Sequence, residues 1–174
     1  ELVPAARAAG LPVVWVNWGN REDLANIPPG VAHVYDPEGR GEGLGAMLPN
    51  GSRVLTQGSW GAALVDGLVA EPGDVHVDKY RMSGFWDTPL DSILRNLRVD
   101  TLFFTGVNSD QCVSSTLVDA ACLGYDAVLV DGASATTSPA YCHEATLYNT
   151  RQCYGFTCDA ADLLAALQTA KDGS

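Results

Sequence analysis

The stretch that decides the fold is Thr101–Val130, which reads TLFFTGVNSDQCVSSTLVDAACLGYDAVLV. Its apolar run Leu102–Phe104 predicts a strand that is buried on both faces, and Ala127–Val130 predicts a second strand. Between them, apolar residues recur at helical spacing until Gly124, which is a typical helix stop. This strand–helix–strand unit has the length of a parallel crossover. The sequence therefore predicts an α/β fold.

Cys112 lies where the polar turn after the first of these strands becomes the helix. The N-terminus of a helix carries unpaired N–H groups and a partial positive charge, which stabilise a thiolate or an oxyanion. A cysteine at this point suits a nucleophile that attacks a carbonyl group. A small buried structural cysteine fits the same position equally well.

Length and composition limit the possible partners. The 174 residues predict a single domain, 1–174, that can bury a core. Ten Lys and Arg against 21 Asp and Glu give a formal charge of −11, which argues against nucleic acid. No apolar run approaches the ~20 residues of a membrane span. Five cysteines at irregular spacing do not form a disulfide framework, so we expect a reducing, cytoplasmic setting.

The rest of the chain alternates between predicted helices and strands. This alternation predicts a parallel sheet with helices on both faces. A Gly- and Pro-rich loop is predicted over Asn17–Asn50. The predicted strands are Pro12–Trp18, a short one at Val54–Leu55, Val75–Lys79 and Gly155–Cys158, and the predicted helices are Glu1–Ala9, Trp60–Val69, Thr88–Leu97, Pro139–Tyr148 and Asp159–Ala170.

The beginning of the sequence predicts one further strand. Glu1–Ala9 forms a helix that ends at Gly10 and enters the strand from Pro12. In an alternating α/β chain, a helix that leads into a parallel strand normally follows an earlier strand. We therefore expect a first strand upstream of Glu1.

Polar side chains follow three of the predicted strands. Asn17 ends one strand, Lys79 ends the next, and the turn after Leu102–Thr105 carries Asn108 and Cys112. Ligands of parallel sheets bind at the carboxyl ends of the strands. An ammonium group beside a cysteine favours the thiolate and balances charge on an intermediate. We therefore expect these side chains to form one site.

Two motifs resemble those of the isochorismatase-like cysteine hydrolases. Lys79–Phe85, KYRMSGF, with Thr88–Leu90 after it, is similar to the lysine motif of that family. Gly106–Val113, GVNSDQCV, is similar to the nucleophile motif, and Asp131–Ala135 matches the strand end that follows. The resemblance runs from about Gly10 to the C-terminus. It is nearest to the branch of ureidoacrylate amidohydrolases and the related biuret and streptothricin hydrolases.

The resemblance implies a fold and a reaction. The fold is a three-layer α/β/α sandwich with a mostly parallel central sheet, and the enzymes are commonly homo-oligomers, dimers or tetramers, that act on a small-molecule amide. The reaction is hydrolysis of a C–N amide bond through a thioester on Cys112, with Lys79 as charge partner. The backbone N–H groups of Asn108 and Cys112 would form the oxyanion hole, and Val107–Asn108 would be a non-proline cis peptide. The general base of the family is an aspartate that here would precede Glu1.

Substrate contacts and cofactors complete these expectations. Asn17, Trp18 and Phe85 either line the pocket, where aromatic walls and an amide suit a planar ureido or lactam group, or pack in the core. The nicotinamidases of the family carry an Asp/His metal cluster, whereas the histidines of this sequence are far apart, so we expect neither a metal nor another cofactor. These histidines are His33, His76 and His143.

Two functions of other classes remain open on the sequence alone. One is a non-catalytic member of the same fold that binds a ligand or a partner. The other is a thiol redox protein that uses Cys112 and Cys122. Ten residues of helix would hold these two cysteines ~15 Å apart, too far for a disulfide. That function would need Cys142, Cys153 or Cys158 to fold close by.

Overall fold

The computed structural model describes residues 1–172, with side chains described for residues 1–170. The chain forms two compact units. The smaller unit comprises Val14–Arg81 and Trp86–Thr88. The larger unit comprises Glu1–Val13, Met82–Phe85 and the described chain from Pro89 onward. The lysine motif is thus shared between the units, because Lys79 belongs to the smaller one and Met82–Phe85 to the larger one.

The smaller unit is built on two parallel strands, β1 (Val14–Trp18) and β2 (Val75–Lys79). They pair in register from Val14 beside Val75 to Trp18 beside Lys79, so both carboxyl ends lie at the same edge. Both strands were predicted from runs of apolar or alternating residues. The segment between them contains no other strand or α-helix in the structure, which agrees with the predicted loop over Asn17–Asn50.

Two elements predicted in the smaller unit do not form. Instead of a helix over Trp60–Val69 there is one 3₁₀ turn, Trp60–Ala62, and Val54–Leu55 is not a strand. Val65 is 68% exposed and Leu68 43% exposed, so the apolar residues that suggested a buried helix face do not point into a core. Helical spacing without an apolar surface to pack against does not stabilise a helix.

The larger unit contains a three-stranded parallel sheet in the order β3, β4, β5. Its five helices include α1 and α5, which pack against each other. Single π-helical turns, Ser109–Val113 and Thr150–Tyr154, precede α3 and β5. The strands are β3 (Thr101–Gly106), β4 (Asp126–Ser134) and β5 (Gly155–Asp159), and the helices are α1 (Leu2–Ala8), α2 (Leu90–Asn96), α3 (Ser114–Leu123), α4 (Ala140–Asn149) and α5 (Ala160–Asp172).

The core of the larger unit lies between β4 and α3. Val113 and Leu117 pack against Ala127 and Leu129, and both of these strand residues are fully buried. The expectation that β3 is buried on both faces is wrong, because Phe103 is 45% exposed, whereas β4 is buried on both faces from Ala127 to Val130. The reason is position, because β4 is the middle strand of this sheet whereas β3 is paired with β4 alone.

Gly124 ends α3 as predicted. Its φ of 95° lies in the left-handed region, which glycine adopts without the steric cost of a Cβ atom. The N–H groups of Gly124 and Tyr125 donate to the carbonyl oxygens of Ala121 and Ala120 and so satisfy the last turn of the helix. The chain then enters β4 directly, which fixes the crossover from β3.

The α/β class with parallel strands is therefore confirmed. All five of the longer predicted strands are present, and each predicted helix outside 60–69 forms within a few residues of its expected bounds. Among the described residues, no helix combines the length and the apolarity that a membrane crossing requires.

Candidate active site

Cys112 lies on the π-helical turn between β3 and α3, which we call the nucleophile turn (Asn108–Val113). The peptide bond Val107–Asn108 is cis, as the family resemblance predicted. The wide turn is closed by a hydrogen bond of 3.3 Å from the N–H of Val113 to the carbonyl oxygen of Asn108. Asn108 is buried, and Cys112 is half-buried. The thiol is thus held at the carboxyl end of β3, at the entry of a helix.

The segment that follows β4, the β4–α4 loop (135–139), holds the nucleophile turn in place. The contacts come from backbone and side-chain groups of both segments and involve four of the six residues of the turn. They are Ser109 N–H to the Ala135 carbonyl oxygen (2.8 Å), Thr137 N–H to Asn108 Oδ1 (3.3 Å), Gln111 Nε2 to Ser138 Oγ (3.2 Å) and the Thr136 hydroxyl to Asp110. The turn is therefore a fixed part of the larger unit.

The carboxyl group of Asp110 is ionised more readily than a free one. Partial burial opposes its charge, but hydrogen bonds from the Thr136 and Ser138 hydroxyls and the nearby His143 outweigh burial and lower its pKa. Asp110 is thus a structural residue of the nucleophile turn. A carboxylate engaged in this way is a poor general base.

The lysine motif contacts the cysteine through residues of the larger unit. The Met82 Sδ atom lies 3.8 Å from the Sγ atom of Cys112. The N–H of Gly84 donates to the Thr116 hydroxyl at 2.9 Å, and that hydroxyl donates to the carbonyl oxygen of Cys112 at 2.7 Å. Thr116 was not predicted from the sequence. The sign of it there is a polar residue on the apolar face of α3, one turn after Cys112.

In the smaller unit, Lys79 is 3% exposed at the carboxyl end of β2. Its Nζ atom donates to the carbonyl oxygen of Arg81 at 2.9 Å and lies 4.3 Å from the centre of the Trp18 ring. A buried ammonium group is stable only when polar groups or aromatic faces replace its water. The structure thus keeps a positive charge away from solvent at this strand end.

Two polar atoms near this lysine are buried without a hydrogen-bond partner among the described residues. They are the indole Nε1 of Trp18, a donor, and Oδ1 of Asn20, an acceptor. The Nδ2 group of Asn20 is engaged by Arg21 and Thr56. Sequence reasoning named Trp18 but missed Asn20, which lies two residues beyond the end of β1 and carries no local signal.

The other two predicted substrate contacts have structural partners. Asn17 donates from Nδ2 to the carbonyl oxygen of Ala62 at 3.4 Å. Phe85 stacks on Tyr125 with ring centres 5.9 Å apart, and the Tyr125 hydroxyl donates to Asp91. Of the residues predicted for the site, Asn108, Cys112 and Phe85 lie in the larger unit, and the remaining three, Asn17, Trp18 and Lys79, lie in the smaller one.

The side chains that could bind a metal are not clustered. Within the part of the chain that the structure describes, no three His, Cys, Asp or Glu side chains could together hold an ion. The five cysteines are free thiols. The ring of His143 contacts Ser109 and Asp131.

Comparison with known proteins shows which family the chain belongs to. The model of the isochorismatase domain matches residues 1–162. The ureidoacrylate amidohydrolase RutB of Methylobacterium radiotolerans is 39% identical over 171 residues, which cover 95% of this chain and 64% of that protein. This chain thus spans less than two thirds of the length of that curated relative.

Two solved structures share the fold. A cysteine hydrolase from Pseudomonas syringae pv. phaseolicola 1448A superposes with a TM-score of 0.81 at 23% identity, over 97% of this chain and 78% of that one. The N-carbamoylsarcosine amidase of Thermoplasma acidophilum superposes with a TM-score of 0.69 at 29% identity, over 92% of this chain and 79% of that one. From the family model, the motifs and the fold together, we conclude that the chain belongs to the isochorismatase family.

Proposed function

We propose that this chain carries the nucleophile and the charge partner of a cysteine amidohydrolase. The enzyme would cleave a C–N amide bond of a small amide, ureido or lactam compound. The observation that carries the proposal is the setting of Cys112, a half-buried thiol on a turn that the β4–α4 loop anchors at the entry of α3. A structural cysteine needs only an apolar cavity, and such an anchored turn would be superfluous for it.

The proposed reaction has two halves. The Cys112 thiolate attacks the amide carbon, and the backbone N–H groups of Asn108 and Cys112 stabilise the oxyanion. The general base takes the thiol proton of Cys112 and passes it to the nitrogen, the C–N bond breaks, the amine leaves, and a thioester remains on Cys112. Water then attacks the thioester carbon and gives a proton to the general base, the C–S bond breaks, the acyl product leaves as an acid, and the Cys112 thiolate takes that proton back. The family resemblance assigns that base to an aspartate upstream of Glu1.

Lys79 is proposed to balance the charge on the thiolate and on the intermediate. Its burial supports this role, because an ammonium group in a low-dielectric site interacts far more strongly with an anion than one in water. The chain connection supports the pairing as well. Lys79 stands three residues before Met82, whose sulfur contacts Cys112.

Trp18 and Asn20 support the proposed class of substrate. An amide or ureido group presents a carbonyl acceptor and an N–H donor side by side. The buried indole N–H and the buried Oδ1 atom complement these two groups. The match with a relative named as a ureidoacrylate amidohydrolase favours ureido compounds within this class.

The test is intact-protein mass spectrometry after mixing with a panel of ureido compounds and lactams, together with an assay of amine or ammonia release. We expect a transient acyl adduct on the wild type and on Cys122→Ala, and none on Cys112→Ala. Cys122 is the matched control, because it is an exposed thiol ten residues further along on α3.

Two outcomes would overturn the proposal. Turnover retained in a folded Cys112→Ala variant would exclude the thioester route. Absence of both adduct and turnover across the panel, with the general base supplied on the full-length protein, would favour a non-catalytic member that binds a ligand or a partner.

A further inference from the structure

Three side chains of the larger unit form a hydrogen-bonded series that ends in the nucleophile turn. Ser109 Oγ lies 2.8 Å from Nδ1 of His143, and Nε2 of His143 lies 3.3 Å from Oδ1 of Asp131. The three residues belong to the nucleophile turn, α4 and β4 in that order. We call this series the Ser109–His143–Asp131 relay. Ser109 and Asp131 lie in the motifs quoted for the family resemblance, whereas His143, which joins them, lies outside those motifs.

The relay is not a second nucleophilic centre. Ser109 is 0% exposed, so its hydroxyl oxygen cannot reach a substrate. A serine nucleophile needs an accessible Oγ atom beside the imidazole. The relay instead contacts the turn whose backbone carries Cys112, three residues after Ser109.

The direction of the hydrogen bonds follows from the charged end. The Asp131 carboxylate accepts from the Gly132 N–H at 2.9 Å and accepts from the Nε2–H of His143. With the proton on Nε2, the Nδ1 lone pair accepts from the Ser109 hydroxyl. In this tautomer the ring satisfies both neighbours. The structure describes no second partner for the Ser109 hydroxyl among residues 1–170.

We propose that His143 is a positioning residue, which anchors the nucleophile turn to α4 through Ser109. The anchor fixes the first residue of the turn after Asn108 and so the N–H groups that surround Cys112. The backbone contact from Ser109 to Ala135 remains when the imidazole is removed. Loss of His143 therefore loosens the turn without detaching it. This inference rests on the proposed role of Cys112.

Two variants of His143 separate its two contacts. The amide of asparagine reaches the position of Nδ1, so His143→Asn can still accept from Ser109 while it loses Asp131. The longer amide of glutamine reaches the position of Nε2, so His143→Gln keeps Asp131 and loses Ser109. Ser109→Ala removes the same contact from the other side. Circular dichroism and thermal unfolding of all three variants, compared with the wild type, check that the fold is retained.

The first readout is the rate constant for alkylation of Cys112 by iodoacetamide, followed site by site by peptide mass spectrometry. We expect His143→Gln and Ser109→Ala to slow it about tenfold, because a loosened turn no longer aims its N–H groups at the thiolate. His143→Asn is expected to stay within about twofold of the wild type. Alkylation of the exposed Cys122 is the internal control and should not change.

The second readout is amide hydrolysis by the full-length protein. We expect His143→Gln to lower kcat about tenfold with KM nearly unchanged, since the turn contacts the reacting atoms only. Equal losses in His143→Asn and His143→Gln would overturn the inference, because they would indicate general packing. Unchanged alkylation in His143→Gln would overturn it as well. The alkylation readout needs no substrate, so it decides on the relay even if the proposed hydrolase function fails.

Discussion

The hydroxyl group of Thr116 donates a 2.7 Å hydrogen bond to the carbonyl oxygen of Cys112. The hydroxyl oxygen of Thr116 in turn accepts a hydrogen bond from the N–H of Gly84 at 2.9 Å. One buried side chain therefore joins the nucleophile turn to the second half of the lysine motif. Thr116 gives the buried N–H of Gly84 a hydrogen-bond acceptor, so removal of its hydroxyl group has a cost that can be measured.

Thr116→Val keeps the shape of the side chain and removes the hydroxyl. We expect it to lower the free energy of unfolding by about 1–3 kcal/mol, because the Gly84 N–H loses its acceptor in a buried place. Urea unfolding measures the change. Thr116→Ser is the control, since it keeps the oxygen and should lie closer to the wild type. Equal stability of Thr116→Val and the wild type would show that Gly84 finds another acceptor.

Trp18→Phe removes the indole N–H while it keeps an aromatic face for Lys79. We expect KM for the amide substrate to rise about tenfold, because one hydrogen bond to the substrate is lost. Stability should change little, because the donor has no hydrogen-bond partner among the described residues. Steady-state kinetics on the full-length protein, with thermal unfolding beside it, measures both.

Trp15→Phe is the matched control for that substitution. The Trp15 indole donates to Asp74 at 2.7 Å, so its loss should cost stability, about 1 kcal/mol, and leave KM unchanged. If Trp18→Phe instead behaved like Trp15→Phe, with a stability loss and an unchanged KM, a recognition role for Trp18 would be excluded.

Lys79→Met replaces the buried ammonium by an uncharged side chain of similar length. We expect kcat to fall at least about a hundredfold, because the charge on the intermediate loses its counter-ion. Stability should be retained, since a buried charge is removed and the apolar stem is kept. Lys79→Arg should not restore activity, because a planar guanidinium does not fit the space of a point charge. Full activity of folded Lys79→Met would contradict the proposed role.

Asp110 gives a prediction for acid stability. Its pKa lies below the ordinary value of 3.8, because hydroxyl hydrogen bonds from Thr136 and Ser138 outweigh the opposing effect of burial. A lowered pKa in the folded state adds stability that is fully present above the unfolded pKa and is lost as the pH falls through the folded pKa. The difference in Tm between the wild type and Asp110→Asn should therefore be larger at pH 6 than at pH 3. A difference that is independent of pH would contradict this assignment.

The homo-oligomer, a dimer or tetramer, remains a prediction from the family resemblance. Sedimentation equilibrium of the full-length protein would measure the assembly. A single species with the mass of one chain across the micromolar range would contradict it.

The sequence predicted the elements whose signal is local. Apolar runs mark β4, and the left-handed Gly124 marks the end of α3, because both depend on residues adjacent in the chain. The predicted helix over Trp60–Val69 does not form. Its apolar residues recur at helical spacing, but they do not point into a core. Adding a Cβ atom to Gly61 would bring it within 2.3 Å of the Arg53 carbonyl oxygen, so this segment is organised by a close backbone approach that periodicity does not reveal.

The site divides in the same way. The positions of Lys79 at the end of β2 and of Cys112 on the turn after β3 were predictable from the apolar runs, and their catalytic roles stay predictions. The contact between Ser109 and His143 was not predictable, because the two residues are 34 positions apart in the sequence. Asn20 was missed for a different reason, since an unsatisfied buried acceptor is visible only when all of its surroundings are known.

The anchoring of the nucleophile turn has a consequence for how the molecule opens in solution. The N–H of Ser109 is bonded to Ala135 and the N–H of Ala135 to Gly106, directly beside the buried strand β4. Amide protons in such positions exchange with solvent only when a large part of the structure unfolds, whereas those of a loop exchange through local fluctuations. The backbone amide protons of Ser109 and Ala135 should thus be among the slowest to exchange for deuterium. Those of residues 19–50, the loop that follows β1, should be among the fastest. The proposed nucleophile would then lie in the part of the backbone that opens least often.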